Sequence, residues 1–253
     1  MTQHIVQYSG GIGSWAAAMR VAERHGVDDL VLLVADSRAE DEDLWRFVEE
    51  TARYLTVEPV IVADGRDPWQ VFHDVRFLGN SRLAPCSVHL KQLPCRRWVE
   101  ANADPDDSIL YVGFDHTEIR RIPGTTRGWA PWRVEFPMCE EPTMSKEQML
   151  QWARDIGIDP PRLYAWADHN NCAGMCVRGG QKHWAKLLEH EPERYAEAER
   201  REARLRAHLG KDVAILRERR GGVSRPLTLA EHRRRLQAQK AGGRVERTMA
   251  RAA

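Results

Sequence analysis

The residues of this chain best suited to hold a phosphate group are Ser9, Gly10, Gly11, Gly13 and Ser14, packed into one short segment after an alternating run at 4–8. Glycine accepts backbone conformations that a Cβ forbids, so successive amides can turn toward an anion. The two serines add hydroxyl donors, and a helix beginning behind such a loop presents its positive end to the same point. A second group could grip or polarise the same ligand: Lys91, Glu118, Arg120 and Arg121, because a guanidinium holds phosphate oxygens in a bidentate fork and an ammonium acts as a point charge. Third come the thiols, Cys172 and Cys176 around a glycine-containing turn, with Cys86, Cys95 and Cys139 upstream. Two thiols on one short turn suit a shared metal centre.

These groups need a frame that gathers them. Residues 4–8 read as a strand, 15–25 as a helix former, and 30–36 as a continuously apolar run ending in Asp36, which is the pattern of a parallel strand buried on both faces. A helix over 43–54 and a strand over 59–64 repeat the unit. A polar stretch at 66–84 leads to residues 85–94, a helix to Ala101, a strand over 108–115 and a charged loop at 116–121. The alternation predicts an α/β fold, a doubly wound parallel five-stranded sheet of Rossmann-like type with a helical C-terminal extension. In such sheets ligands lie outside the carboxyl ends of the strands, which is where the glycine loop, Asp36, Asp64 and the loop after Phe114 all fall. Beyond Pro137, Ser145 and Gln148 predict a capped helix over 145–156. A long charged helix over 181–209 is interrupted at Pro192, and a short segment at 213–216 closes the ordered part. The expected organisation is a nucleotide-binding domain at 1–140, a helical region carrying the cysteine loop at 141–210, and a basic tail at 211–253.

Composition narrows the class. With 253 residues, 42% hydrophobic and 30% charged, the chain is neither disordered nor fibrous. No run approaches the roughly 20 apolar residues of a membrane helix, and the start leads into a strand-like run instead of a signal peptide, so a cytoplasmic protein is expected. Five cysteines without a secretory signal point to thiol or metal chemistry before disulfides. The net charge of +1 conceals an arginine-rich stretch after Arg217, which reads equally as a solvated helix face or as a nucleic-acid contact. His4 and most other histidines read as packing or surface residues, and Trp129, Trp132, Trp152 and Trp166 as core or lid.

Ser9, Gly10, Gly11 and Ser14 resemble the Ser-Gly-Gly-x-x-Ser signature of the PP-loop superfamily of ATP pyrophosphatases and sulfonucleotide reductases. Residues 86–94 resemble the reductase segment Cys-Cys-x-x-x-Lys-x-x-Pro, with Ser87 in place of the second cysteine, and residues 113–121 resemble Gly-x-x-x-x-Glu-x-x-Arg. The resemblance implies ATP or another adenine nucleotide with Mg2+ on the loop residues Ser9, Gly10, Gly11, Gly13, Ser14 and Asp36. It implies Lys91, Glu118, Arg120 and Arg121 as the reacting groups. The segment at 169–176 resembles the cluster region of adenylylsulfate reductases, implying a 4Fe-4S cluster on Cys86, Cys172 and Cys176. Cys95 or Cys139 would be the fourth ligand, or an iron would stay open, and zinc is the runner-up. Gly13 departs from the pattern, standing where the ATP-cleaving branch carries Asp.

Three functions are open at this level. The first is adenylylation of an acceptor in sulfur transfer or nucleic-acid modification, with a sulfur-donor protein, nucleic acid and a second copy of the chain as admissible partners and no membrane. The second is a sulfonucleotide reductase, whose attacking cysteine near the C-terminus has no counterpart after Cys176. The third is an inert nucleotide- or nucleic-acid-binding module.

Overall fold

The computed structural model describes residues 2–252, with side chains throughout except at Arg220 and at 242–252. In chain order the elements begin with β1 (Gln3–Gln7), α1 (Ile12–His25), β2 (Leu30–Asp36), α2 (Glu42–Leu55), β3 (Val60–Ala63) and α3 (Pro68–Asp74). Then α4 (Pro85–Ser87), a π-helical turn (Val88–Gln92) and α5 (Leu93–Asn102) follow one another without a break. After β4 (Ser108–Tyr111) come a 3-10 turn (His116–Arg121), α6 (Ile122–Trp129), β5 (Arg133–Glu135) and α7 (Lys146–Asp155). The chain ends with α8 (Gln181–His190), α9 (Pro192–Leu209), β6 (Leu216–Arg220), β7 (Val223–Leu227) and α10 (Leu229–Ala252). Two compact units result: Met1–Asp67, Ser87–Ala165 and His169–Ala173 form one, and Pro68–Cys86, Trp166–Asp168 and Gly174–Ala253 the other.

In the first unit, five parallel strands lie in the order β3-β2-β1-β4-β5, with Val6 opposite both Leu32 and Tyr111. Strand pleating sends alternate residues to opposite faces. Val6, Tyr8, Leu32, Val34 and Tyr111 therefore meet α1, α2 and α7 through Trp15, Phe47 and Met149. Ile5, Leu33 and Leu110 face the other way, onto Cys95 and Val99 of α5 and onto Trp129 and Trp132. Helices thus cover both faces of a parallel sheet, the α/β architecture expected from the alternation. Strand order reverses between β1 and β4, and that reversal positions the site described below.

Several local expectations hold. Ser145 accepts from the Gln148 amide while the Gln148 side chain accepts from the Ser145 amide, the reciprocal cap read from the sequence. Pro192 begins α9 and separates it from α8. Trp129 and Trp132 are core residues, and buried His4 hydrogen-bonds Tyr111 at 2.9 Å. The fourth strand is shorter than expected, ending at Tyr111. The edge strand β5 has only three residues and no sequence signature.

Two expectations fail in the second unit. The polar stretch at 66–84 contains α3, whose Phe72 joins Leu78 and Ala84 in an apolar core with Trp184, Leu187, Tyr195, Leu205, Ile215 and Leu227. A seven-residue helix is too short to display the 3.6-residue period, so the stretch looks like loop. Order does not close at Leu216 either. β6 and β7 pair as an antiparallel hairpin through Gly221 (φ +55) and Gly222 (φ +79), the two positive-φ positions that a tight hairpin turn requires. Buried Glu202 organises the junction, accepting from the amides of Ile215 at 2.9 Å and Leu229 at 2.7 Å. Tyr195 adds a bond to the Leu229 carbonyl at 2.8 Å. In α10, Arg233 forks onto Glu199, and Arg235 pairs with Glu218 and Glu231, so these two cations of the expected basic tail are paired. The side chains of Arg244, Arg247 and Arg251 lie outside the described residues.

Candidate phosphate site and cysteine loop

The loop after β1 is held in shape by its own serines. Ser14 Oγ donates to the Gly11 carbonyl at 2.8 Å and accepts from the Ser9 amide at 3.1 Å. With the single Ser14 proton spent on Gly11, the contact between the two hydroxyls at 3.2 Å leaves Ser9 as donor. Gly10 adopts φ +70 with Leu44 Cγ 2.6 Å from where a Cβ would stand, so both conformation and space demand glycine there. Gly11 is the N-cap of α1 and brings no side chain to cap it.

Gly13 has a packing explanation. A Cβ at this position would stand 2.7 Å from the Gly113 carbonyl oxygen, and a Cβ on Gly113 would stand 2.4 Å from the Gly13 carbonyl. Two glycines let α1 and the end of β4 approach backbone to backbone. The departure from the carboxylate pattern is therefore built into the way the loop seats on β4.

Around this loop the structure gathers residues that sequence reading passed over. Tyr164 Oη accepts from the Ile12 amide at 2.9 Å, and Asn170 Nδ2 donates to the Gly10 carbonyl at 3.1 Å. Burial pushes the Tyr164 phenol above its ordinary range, so it remains a neutral hydroxyl at the helix start. Arg162 donates through its amide to Asp43 and through its guanidinium to Asp41, anchoring this segment to the start of α2.

Glu40 is the other unforeseen residue. Its side chain is 3% exposed, and its carboxylate accepts from Lys91 Nζ at 2.7 Å, Ser37 Oγ at 2.9 Å and the Cys172 amide at 2.6 Å. One buried carboxylate thus ties the loop after β2, the helix carrying Lys91 and the start of the cysteine loop. A position after a strand end, followed by the helix cap Asp41, was the only sequence signal for it. Lys91 itself lies in the π-helical turn Val88–Gln92, a rare conformation that concentrates at functional sites.

The remaining expected residues are placed as follows. Asp36 ends β2 and accepts from the Arg38 amide at 2.7 Å, while Arg38 takes φ +53. Glu118 pairs with Arg121, whose guanidinium lies 4.0 Å from the Phe114 ring centroid, and Arg120 is exposed in the same 3-10 turn. Cys172 and Ala173 both occupy the left-handed region (φ +50 and +49), followed by Gly174 at φ +84. Left-handed non-glycine residues cost about 1–3 kcal/mol each and persist where surrounding contacts enforce them, commonly at ligand clamps. Glu40 supplies one such contact.

None of the five cysteines is in a disulfide. Cys172 belongs to the first unit, and Cys86 and Cys176 to the second. Cys95 is buried among Ile5, Leu33, Val99 and Leu110, and burial pushes its thiol up to about 11. That environment disfavours the thiolate a metal requires. Cys139 donates to the Phe114 carbonyl at 3.1 Å, and burial raises its thiol too. Among the described residues no group of three or more His, Cys, Asp or Glu side chains is arranged to hold a metal ion. No helix among them is long and apolar enough to cross a membrane.

The site is therefore a serine-latched glycine loop at the carboxyl end of β1, beside the strand-order reversal, with Lys91 and the loop after β4 in the same unit. No protein-family model matches the chain, and a search of curated proteins returns no match.

Proposed function

We propose that this chain is a PP-loop enzyme that binds ATP or a related adenine nucleotide at residues 9–14 and activates an acceptor by adenylylation, in sulfur transfer or nucleic-acid modification. The observation that carries this reading is the latched loop at the β1–β4 reversal, the position where open parallel sheets bind nucleotides. In the reaction an acceptor oxygen or sulfur attacks the α-phosphorus, the bond to the bridging oxygen breaks, and pyrophosphate leaves with the electron pair. Loop amides hold phosphate oxygens, and the Ser9 hydroxyl joins them by turning its proton from Ser14 to the ligand, while Ser14 keeps the loop latched. Lys91, released from Glu40, neutralises charge on the leaving group, and Arg120 and Arg121 close over the nucleotide beside Glu118. Mg2+ bound with the nucleotide would supply further charge neutralisation.

The decisive assay is release of AMP and pyrophosphate from ATP and Mg2+ in the presence of candidate acceptors. Ser14→Ala is expected to weaken nucleotide binding about tenfold, the size of one lost net hydrogen bond of about 1.4 kcal/mol, while the chain still folds. Unchanged affinity would remove the loop from the site. Retained affinity with no turnover on any acceptor would make the chain a binding module. A sulfonucleotide reductase is the second reading, favoured by the Gly13–Gly113 approach, which leaves no room for the carboxylate of the ATP-cleaving branch.

The resemblance assigns Cys86, Cys172 and Cys176 to a 4Fe-4S cluster, with zinc as runner-up and Cys95, Cys139 or an open iron at the fourth position; burial counts against Cys95. Anaerobically purified protein is expected to be brown with about four irons per chain. A colourless, iron-free preparation would sink the cluster.

A further inference from the structure

The β6–β7 hairpin and the turn leading into α8 form a cationic surface, and we infer that it binds the backbone of duplex DNA. Among the described side chains, residues 174–188 and 213–230 carry six basic groups, of which Lys186 pairs with Asp168, and one acid, Glu218, which is paired with Arg235. The hairpin register separates its charges. Arg217 and Arg219 share one face with Ser224 and Pro226, while Glu218 and Arg225 lie on the other. Arg217 and Arg219 are exposed, and each is steadied by the hairpin: Arg217 bonds Ser224 Oγ of β7 at 2.8 Å, and Arg219 reaches the carbonyl of the turn residue Gly222 at 3.4 Å. Such bonds reduce the entropy lost when a guanidinium grips phosphate. The Gln181 side chain donates to the Arg217 carbonyl at 2.8 Å, which fixes the start of α8, with exposed Arg178 and Lys182, beside β6.

Shape selects the partner. A two-stranded ribbon fits the major groove of B-form DNA, whereas the major groove of A-form RNA is too narrow and deep to admit side chains. The tip residues Gly221 and Gly222 carry no Cβ, so the turn can approach a sugar-phosphate chain closely. A membrane surface would call for apolar anchors, and among the large exposed apolar residues only Val223 belongs to the hairpin. The surface lies wholly in the second unit and rests on none of the nucleotide-site residues. It supplies an acceptor class for the adenylylation proposed above without depending on it.

The test is fluorescence anisotropy of a labelled random-sequence duplex against the full chain, repeated between roughly 50 and 200 mM salt. The double variant Arg217→Gln/Arg219→Gln is expected to weaken binding at least tenfold and to lower the slope of log K against log salt by about 2, near 0.9 per lost phosphate contact. Arg217→Lys/Arg219→Lys should keep the slope, which a merely structural role for the guanidiniums would not allow. Ser14→Ala should leave DNA binding unchanged, so the two proposals fail separately. Equal affinity and slope for wild type and the glutamine variant would overturn the inference. So would tighter binding to RNA hairpins, or to anionic phosphatidylserine vesicles, than to duplex DNA.

Discussion

Gly113→Ala is expected to destabilise the first unit by about 3 kcal/mol, the upper end of the usual overpacking range, and to lower nucleotide affinity with it. The added methyl would stand 2.4 Å from the Gly13 carbonyl oxygen and 2.5 Å from both the Gly13 carbonyl carbon and the Ser14 nitrogen. All three are backbone atoms, so no side-chain rotamer relieves the overlap; α1 must move away from β4. Because Ser14 latches the loop through Ser9 and Gly11, that movement also disturbs the proposed phosphate site. Gly124→Ala is the control, since nothing lies within 4 Å of a Cβ there and the residue sits within α6. Alanine at that helical position should be neutral or stabilise by about 0.5–1 kcal/mol. Urea unfolding and ATP titration of both variants measure the pair. A wild-type midpoint for Gly113→Ala would mean that the two glycines do not touch. Gly13→Asp tests the same contact from the other side: supplying the carboxylate of the ATP-cleaving branch should lose stability without gaining turnover.

The second large effect is expected at Glu202. Glu202→Ala strands the amides of Ile215 and Leu229 in a buried position, at about 1–3 kcal/mol for each unsatisfied donor. Glu202→Gln retains one acceptor and should lose about half as much. A pH dependence accompanies this. Burial is the leading influence on Glu202 and raises its pKa above 4.5, against the opposing pull of the two amide bonds. The folded state therefore holds this proton more tightly than the unfolded state. The stabilisation linked to it is complete below the unfolded value and declines as pH rises through the folded value. Denaturant midpoints from pH 4 upward should show that decline in wild type and a flatter profile in Glu202→Gln. Identical profiles would remove Glu202 as its source.

How much of this could be read from the chain depends on the range of the interaction. Strands 30–36 and 4–8, the capping box at Ser145 and the break at Pro192 are written in neighbouring residues, and the structure reproduces them. α3 and the β6–β7 hairpin were missed because each is short, and its apolar residues find partners far along the chain, Phe72 and Leu227 meeting only in the core of the second unit. At the site, the Ser9–Ser14 loop was legible because a glycine-serine turn between strand and helix is a local event. Glu40, Tyr164 and Asn170 were not, because their partners are the Lys91 ammonium and Cys172 amide, the Ile12 amide and the Gly10 carbonyl, all remote in sequence.

By itself, then, the sequence determined the α/β alternation, the location of the glycine loop at a strand end, and the residue types available for phosphate and thiol chemistry. Periodicity and turn propensity act over a few residues, and these features need no more. Tertiary structure alone decided that Gly13 faces Gly113, that Lys91 rests on a buried glutamate, that Cys95 is a core thiol, and that the basic segment after Leu216 is a hairpin leading into a helix whose Arg233 and Arg235 are paired. Each of these depends on which distant group occupies the adjacent space, and only packing fixes that.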